Sequence, residues 1–520
     1  MCLKICIFKC HHTKANIMFK SYTSNDNLLL PPCLGDLIPA SDPVRVVDRI
    51  IEQVNLTTLY HKYSRLGSHA YHPRLMLKLI VYAYLRNVYS SRRIEDLCRH
   101  DIRFLWLNGM DVPDHNTINR FRSGRLKGVL KEVFSTIVKF LVSEGLVSLE
   151  TMYTDGTKIE SAANRYTFVW GKSISTRIGK IAEQLNELWS YAESVTKQEL
   201  MQETSLLPED ITAEKVSEVV DRIDEALRDV DCDKKVKQKV KRVKKAWGEQ
   251  LKRYEEQEQI LEGRNSYSKT DPDATFMRMK EDHMLNGQLK PAFNVQISTN
   301  QQFISNYTFH QTTSDTTTYI QHMEEFKALY GFYPKESITD AGYGSEENYL
   351  YAKDKGINTF IKYNYFHKEQ TKKWRTDPFR SSNFYYNETK DCYYCPMGQQ
   401  IRRVSKRKQR TKTGFEQEIH VYEATRCQGC PLRSLCHKSK NNRRIEVNHR
   451  LNRLKAQEKE KLLSGAGLVH RSQRPQDVEA TFGNLKNNKN FRRFLCKGKS
   501  KVEVEFGLLA IAHNIAKVAS

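Results

Sequence analysis

The sequence predicts an α/β protein in which a mixed sheet is covered by helices, preceded by an all-helical region and interrupted by two insertions. Three observations predict it. Between 291 and 363 a strand hairpin is followed by alternating helix and strand patterns. Residues 43–146 carry helical periodicity throughout. Two long stretches between 173 and 262 repeat apolar residues at heptad spacing.

The 520 residues are enough for about three domains with cores of their own. A hydrophobic content of 39% and a charged content of 28% exclude a disordered or membrane-embedded chain. No window approaches the roughly 18 uninterrupted apolar residues of a membrane helix. Lys and Arg number 84 against 61 Asp and Glu, a formal charge of +23 spread over several segments. Such a surplus suits a broad polyanion-binding surface, although charge alone does not separate DNA from RNA or acidic lipid.

Residues 1–42 read as an irregular extension. The start, M-C-L-K-I-C-I-F-K-C-H-H, is too short and too interrupted by Lys and His for a signal peptide. Its Cys2, Cys6, Cys10, His11 and His12 read either as metal ligands or as upstream sequence before a working start near Met18; the second reading is preferred. A cytoplasmic location is expected.

Residues 43–146 form the expected helical DNA-binding region. Leu75, Met76, Leu79, Ile80 and Ala83 make one stripe on a helix at 72–88, and Ser90 or Ser91 can cap the next, 92–100. After a turn at Asn108-Gly109, the run P-D-H-N-T-I-N-R-F-R offers Asp114 or Asn116 as an N-cap. Its short helix carries Asn119, Arg120 and Arg122 and resembles the reading element of a helix-turn-helix. An ordinary helical bundle with solvated arginines is the competing reading. A long helix, 126–144, stops at Gly145.

The catalytic core is expected at 147–172 and 263–365. Residues 147–160 read as a strand on which Asp155, Thr157 and Ile159 share a face. An insertion over 173–262 follows, with Ile174, Ile178, Ile181, Leu185 and Leu188 spaced 4-3-4-3, as are Val216, Val220, Ile223, Leu227 and Val230. Helices 173–200 and 212–262 are expected to pair as an antiparallel coiled coil, with the lysines of 234–245 on its solvated face. A hairpin, 291–298 and 303–309, turns at 299–302, and a helix leads to a strand ending at Asp340. Ser345 caps the next helix.

Asp155, Asp340 and Glu479 are the candidate metal-binding acids. Carboxyl ends of strands are where such sheets build sites, and Glu479 falls one turn into a helix that Pro475 can start. Carboxylates converging from distant elements can hold two divalent cations for phosphodiester chemistry. Lys486, seven residues on, shares the helical face of Glu479 and can neutralise a phosphate. Asp271 and Asp273 read as turn residues around Pro272, and Asp315 as a helix cap.

Five of the 12 cysteines lie between 392 and 436. The strings C-P-M-G and C-Q-G-C-P-L-R-S-L-C supply two knuckle-like turns that suit a structural zinc. Reduced thiols without metal are the alternative. Cys33, Cys98, Cys232 and Cys496 read as packing residues.

The strings Y-T-D-G-T-K-I-E-S-A-A-N, I-T-D-A-G-Y-G and V-E-A-T-F-G-N-L-K-N-N-K-N-F-R-R-F resemble those of bacterial insertion-sequence transposases with a DDE catalytic domain, and the likeness covers nearly the whole chain. It implies a ribonuclease-H-like core in which Asp155, Asp340 and Glu479 bind magnesium or manganese, nick transposon ends and join the freed 3′-hydroxyl to target DNA. Many relatives place Arg four residues before Glu. Here that place is Pro475, Arg474 is its neighbour, and Ser472 stands where Tyr is expected. The spacing from Glu479 to Lys486 follows the family.

The pattern C-P-x-G then C-x-x-C-x5-C also resembles the family's zinc-ribbon-like insertion, expected over 366–450, and implies Cys395, Cys427, Cys430 and Cys436 as ligands, with Cys392 and His437 in reserve. The surrounding basic stretch, with Arg402, Arg403 and Lys406, is an expected DNA clamp. Residues 451–520 complete the core. Double-stranded DNA is the expected partner and a homodimer the expected state on it. A metal-dependent nuclease and a non-catalytic DNA-binding descendant are the competing functions.

Overall fold

The computed structural model describes residues 33–63, 70–196, 212–228, 234–279 and 287–520. The expectations for Cys2, Cys6, Cys10, His11, His12, Met18, Val230 and Cys232 lie outside these residues.

The N-terminal helices form as the sequence patterns require. Asp42 caps the helix Pro43–Gln53 by accepting from the Val44 amide at 3.0 Å, and Asp114 caps His115–Arg120 by accepting from the Thr117 amide at 2.7 Å. The helix Pro73–Leu85 is buried almost all round, because the C-terminal helix Lys499–Ala519 packs against it. One core therefore runs from Val44 through Phe134 and Phe293 to Ile515. The change at residue 146 is a change of secondary structure within that core.

The central sheet takes β1 (Thr151–Glu160), β4 (Thr275–Arg278), β5 (Leu289–Asn300), β6 (Phe303–His310), β7 (Glu336–Thr339) and β8 (Asn358–Ile361), with β2 (Phe168–Trp170) and β3 (Ser266–Ser268) forming a separate ribbon. β1 pairs antiparallel with β5, whose other edge carries β4 and β6. On its far side β1 pairs parallel with β7, and β7 with β8. The β5–β6 turn is made by Gln301 and Gln302, both left-handed at φ 50° and 65°. Two such residues match the twist of the flanking strands. Glutamine is an unusual choice there, and neighbours hold it: Asp477 accepts from the Gln302 amide at 2.9 Å and the Gln476 carbonyl from Gln302 Nε2 at 2.9 Å.

The first insertion differs from the expected helix pair. Gly171–Thr196, Ala213–Ala226 and Lys234–Leu261 are three helices sharing one apolar core, including Ile181, Leu185, Val220, Ile223, Trp247 and Leu251. The heptads marked the seam correctly, but the second stretch is broken after Ala226. The second insertion is a five-stranded antiparallel sheet: β9 (Tyr385–Asn387), β10 (Cys392–Tyr394), β11 (Gln400–Arg410), β12 (Glu416–Ala424) and β13 (Arg444–Val447).

Pro475 does not start a helix. The helix Gly465–Arg474 continues into a widened π turn, Pro475–Glu479, and a second such turn spans Asn484–Asn488. A π turn accommodates a residue that lacks an amide hydrogen, and such turns gather at functional sites.

Asp271 and Asp273 do more than turn the chain. Asp271 accepts from Ser161 Oγ at 2.5 Å and the Gly498 amide at 3.1 Å, and Asp273 accepts from the Lys499 amide at 2.7 Å. They cap the last helix. Cys98 is buried and packs as expected, whereas Cys33 is exposed and does not.

Candidate active site

Strand register builds the site. Parallel pairing sets Tyr153 opposite Ile338 and Thr339 opposite Ile361. Continuing each register places Asp155, in the middle of β1, in a row with Asp340 and Lys362, which lie just past the ends of β7 and β8, at about 5 Å per strand. Asp155 is 6% exposed. Asp340 terminates its strand by accepting from the Gly342 amide at 2.8 Å.

The helical segment bearing Glu479 packs on β1 and β5, and the Gln302 turn, beside the start of β1, holds its Gln476 and Asp477. Arg474 links the two elements. Its guanidinium lies 3.2 Å from Asp155 Oδ1 and donates to Glu479 Oε1 at 2.5 Å. Arg474 is itself buried, and its Nε has no partner among the described residues. Asp155 and Glu479 are thus joined through a cation supplied by the chain. Lys486 lies on the second π turn, partly buried, roughly 10 Å along the helix from Glu479 by helical rise.

A further carboxylate lies next to Asp340. Asp315 accepts from Asn294 Nδ2 at 2.8 Å and Gln296 Nε2 at 2.9 Å. These groups occupy the space that a side chain at 156 would need: a Cβ on Gly156 would stand 2.3 Å from Gln296 Nε2 and 2.7 Å from Asp315 Oδ1. A Cβ on Gly342 would stand 3.0 Å from Asp340 Oδ1 and 3.5 Å from Asp315 Oδ2, so those carboxylates approach one point. Tyr343, fully buried and donating to Gln296 Oε1, has its pKa driven well above the usual value by burial and by the fields of Asp155, Asp315 and Asp340.

Burial lowers the Lys362 pKa, as do the charges of Arg474 and Arg471, while Asp340 and Glu479 oppose the shift. The oxygen donors fit a hard divalent cation, and the Arg474 guanidinium already occupies a cation's place between two of them. Among the described residues no three His, Cys, Asp or Glu side chains are gathered closely enough to share an ion.

The cysteines surround one small pocket. Cys395, Cys427, Cys430, Cys436 and His437 line it, whereas Cys392 is buried in β10 and points elsewhere. Gly398 and Gly429 take φ 75° and 74°, which closes the turns after Cys395 and Cys427. The Arg443 amide donates to Cys427 Sγ at 3.4 Å and its Nη1 to Cys436 Sγ at 2.8 Å. Both ring nitrogens of His437 are buried without a partner among the described residues, and burial and two arginines lower its pKa. Thiols, N–H···S donors and a neutral imidazole are the donor types that zinc prefers, but among the described residues no three of them are gathered closely enough to share an ion.

The N-terminal candidates separate. Arg122 is 8% exposed; it donates to the Tyr84 hydroxyl at 3.2 Å, the Tyr89 carbonyl at 3.0 Å and Asn119 Oδ1 at 3.0 Å. Both Arg122 and Asn119 are therefore committed within the protein, and the expected base-reading role fails for Arg122. Arg120 is exposed. On β11, Arg403 pairs with Asp391 at 2.7 Å and Lys406 with Glu418 at 2.8 Å, while Arg402 donates to Gln400 at 2.9 Å. The strand is basic, but acids answer much of its charge.

Residues 394–519 match a family model described as Transposase DDE domain, and residues 32–124 match one described as Transposase domain (DUF772). Over these two stretches the chain is similar to transposases. The first match includes Glu479, Lys486 and the cysteine pocket; the second includes Asn119, Arg120 and Arg122; Asp155 and Asp340 lie outside both. No curated protein and no solved structure matches the chain. Among the described residues no helix is long and apolar enough to cross a membrane.

Two residues beside the candidate acids carry little signal in the sequence. Asp315 looked like a cap, and only the glycine after Asp155, which leaves room for another carboxylate, signalled otherwise. Lys362 had no local signal, because its place follows from parallel register.

Proposed function

We propose that this transposase cleaves DNA at transposon ends and transfers the freed strand into target DNA at the site formed by Asp155, Asp340 and Glu479. The single observation carrying the reading is the bridge that Arg474 makes between Asp155, in the middle of β1, and Glu479, with Asp340 next to Asp155 by the register of β1 and β7. The sheet order, an antiparallel set followed by two strands parallel to β1, supports a ribonuclease-H-like core.

Asp155, Asp340 and Glu479 would hold the divalent cations, with Asp315 adding negative charge beside them. Those cations supply charge neutralisation and activation of the attacking and leaving oxygens. Lys362 and Lys486 would supply ammonium groups to hold non-bridging phosphate oxygens in line for displacement. Arg474 balances Asp155 and Glu479 before DNA arrives. Arg120 and Arg402 contribute to duplex binding, and a homodimer would bring two ends together.

A strand-transfer assay with magnesium and the element's own terminal sequences tests this. Asp155→Asn should abolish cleavage and leave end binding intact; loss of binding alone would make Asp155 a structural residue. Cleavage without joining would indicate a nuclease, and binding without cleavage a non-catalytic descendant.

For the cysteine pocket, we propose one structural zinc held by Cys395, Cys427, Cys430 and Cys436, with His437 as the alternative ligand. Metal analysis of purified protein should find one zinc per chain, reduced by Cys430→Ser; absence of zinc from protein refolded with it would refute the assignment.

A further inference from the structure

The aromatic groove at the base of the three-helix insertion has no part in the chemistry above. β2 and β3 form its floor, and the first turns of helix Gly171–Thr196 and the last turns of Lys234–Leu261 form its walls. It is open, with a volume of about 510 Å³. Phe168 is 48% exposed beside Trp170, their ring centroids 6.0 Å apart. Both rings rest on buried Phe276, at 5.8 and 5.9 Å, which fixes their orientation. Tyr254 and Tyr267 line the depth of the groove.

The charge on its walls has one sign. Arg177, Arg253 and Lys269 line the groove, no Asp or Glu does, and no carboxylate among the described residues pairs with these three. A second, shallower groove shares Trp170 and Arg177 and continues along the helix past Lys172 and Lys180. From Gly171 to Lys180 that path is roughly 14 Å long. Rigid, exposed rings flanked by a track of unpaired cations suit stacked bases and a phosphate backbone together. A duplex hides its base faces and cannot use the rings.

We propose that this groove binds an unpaired stretch of DNA strand, with bases stacked on Phe168 and Trp170 and phosphates held by Arg177, Arg253 and Lys269. The proposal rests on the DNA-processing reading for its ligand but not on the acidic site. It gives the transposase a place for nucleotides separated from their partner strand.

The test measures the affinity of full-length protein for a labelled 15-residue oligothymidine and for a duplex, by fluorescence anisotropy. Phe168→Ala/Trp170→Ala should weaken oligothymidine binding by about tenfold or more and leave duplex affinity within about twofold. Arg177→Glu/Lys269→Glu, whose side chains support no core, should do the same and reduce the salt dependence. Asp155→Asn should bind oligothymidine as the unaltered protein does, which separates this proposal from the catalytic one. Unchanged oligothymidine affinity in both double variants overturns the proposal, as does a parallel loss for duplex and single strand. Altered sedimentation with unchanged affinity would make the groove a protein contact, and equally overturns it.

Discussion

Arg474 approaches Asp155 Oδ1 at 3.2 Å from a helix that is distant in sequence, and the same guanidinium holds Glu479. A chain-borne cation between two carboxylates has consequences that do not depend on an activity assay. Arg474→Ala leaves the buried Asp155 without this partner. In the absence of divalent cations the variant should lose about 3 kcal/mol of stability. Magnesium should then raise its melting temperature more than that of the unaltered protein, because no guanidinium competes for the carboxylates. Equal magnesium shifts in calorimetry would remove Arg474 from the site's cation balance.

Lys362 neighbours Asp340 through strand register and lies within the fields of Asp340 and Glu479. Lys362→Met should lower the rate of end cleavage by about 10- to 100-fold, with end affinity within about twofold. Lys362→Arg should recover part of the rate. If affinity and rate fall together, the residue serves general binding.

Arg122 and Arg120 should behave as opposites. Arg122→Met strands the polar groups of Tyr84, Tyr89 and Asn119, and should destabilise the fold by about 2–4 kcal/mol. Arg120→Ala should leave melting unchanged and weaken end binding. Thermal melts paired with band-shift titrations separate the two.

Acid should loosen the core through its histidines. Burial holds His310 and His513 down to about 4, below the ordinary 6.5. Both are neutral in the fold, so the unfolded chain binds more protons between those limits, and stability falls as pH drops from about 6.5 towards 4. The loss at pH 5 should be about 2 kcal/mol for each histidine. Replacing His513 with Gln, which can still donate to the Gln302 carbonyl, should flatten the slope in melts between pH 7 and 5.

The sequence made the acids visible and left their neighbours hidden. Asp155 and Asp340 announced themselves because alternating strand patterns ended at or ran through them. Lys362 could not be seen, since a parallel register is set by helices that intervene between its strands. The R-F-R string at 120–122 promised two solvent-facing arginines, but the side of the helix facing Tyr84 is a tertiary fact. Heptads located the apolar seam of the first insertion, while the break after Ala226 carried no Gly or Pro to mark it. Asp315 was read from its own neighbours, although Asn294 and Gln296 on β5 decide its role.

The glutamine turn at the tip of the β5–β6 hairpin gives the site its alignment. Gln302 grips Gln476 and Asp477, two to three residues ahead of Glu479, so a side chain borne on a loosened helical turn is indexed to the rigid sheet. Trimming that one corner should loosen Glu479 although none of the acids is replaced.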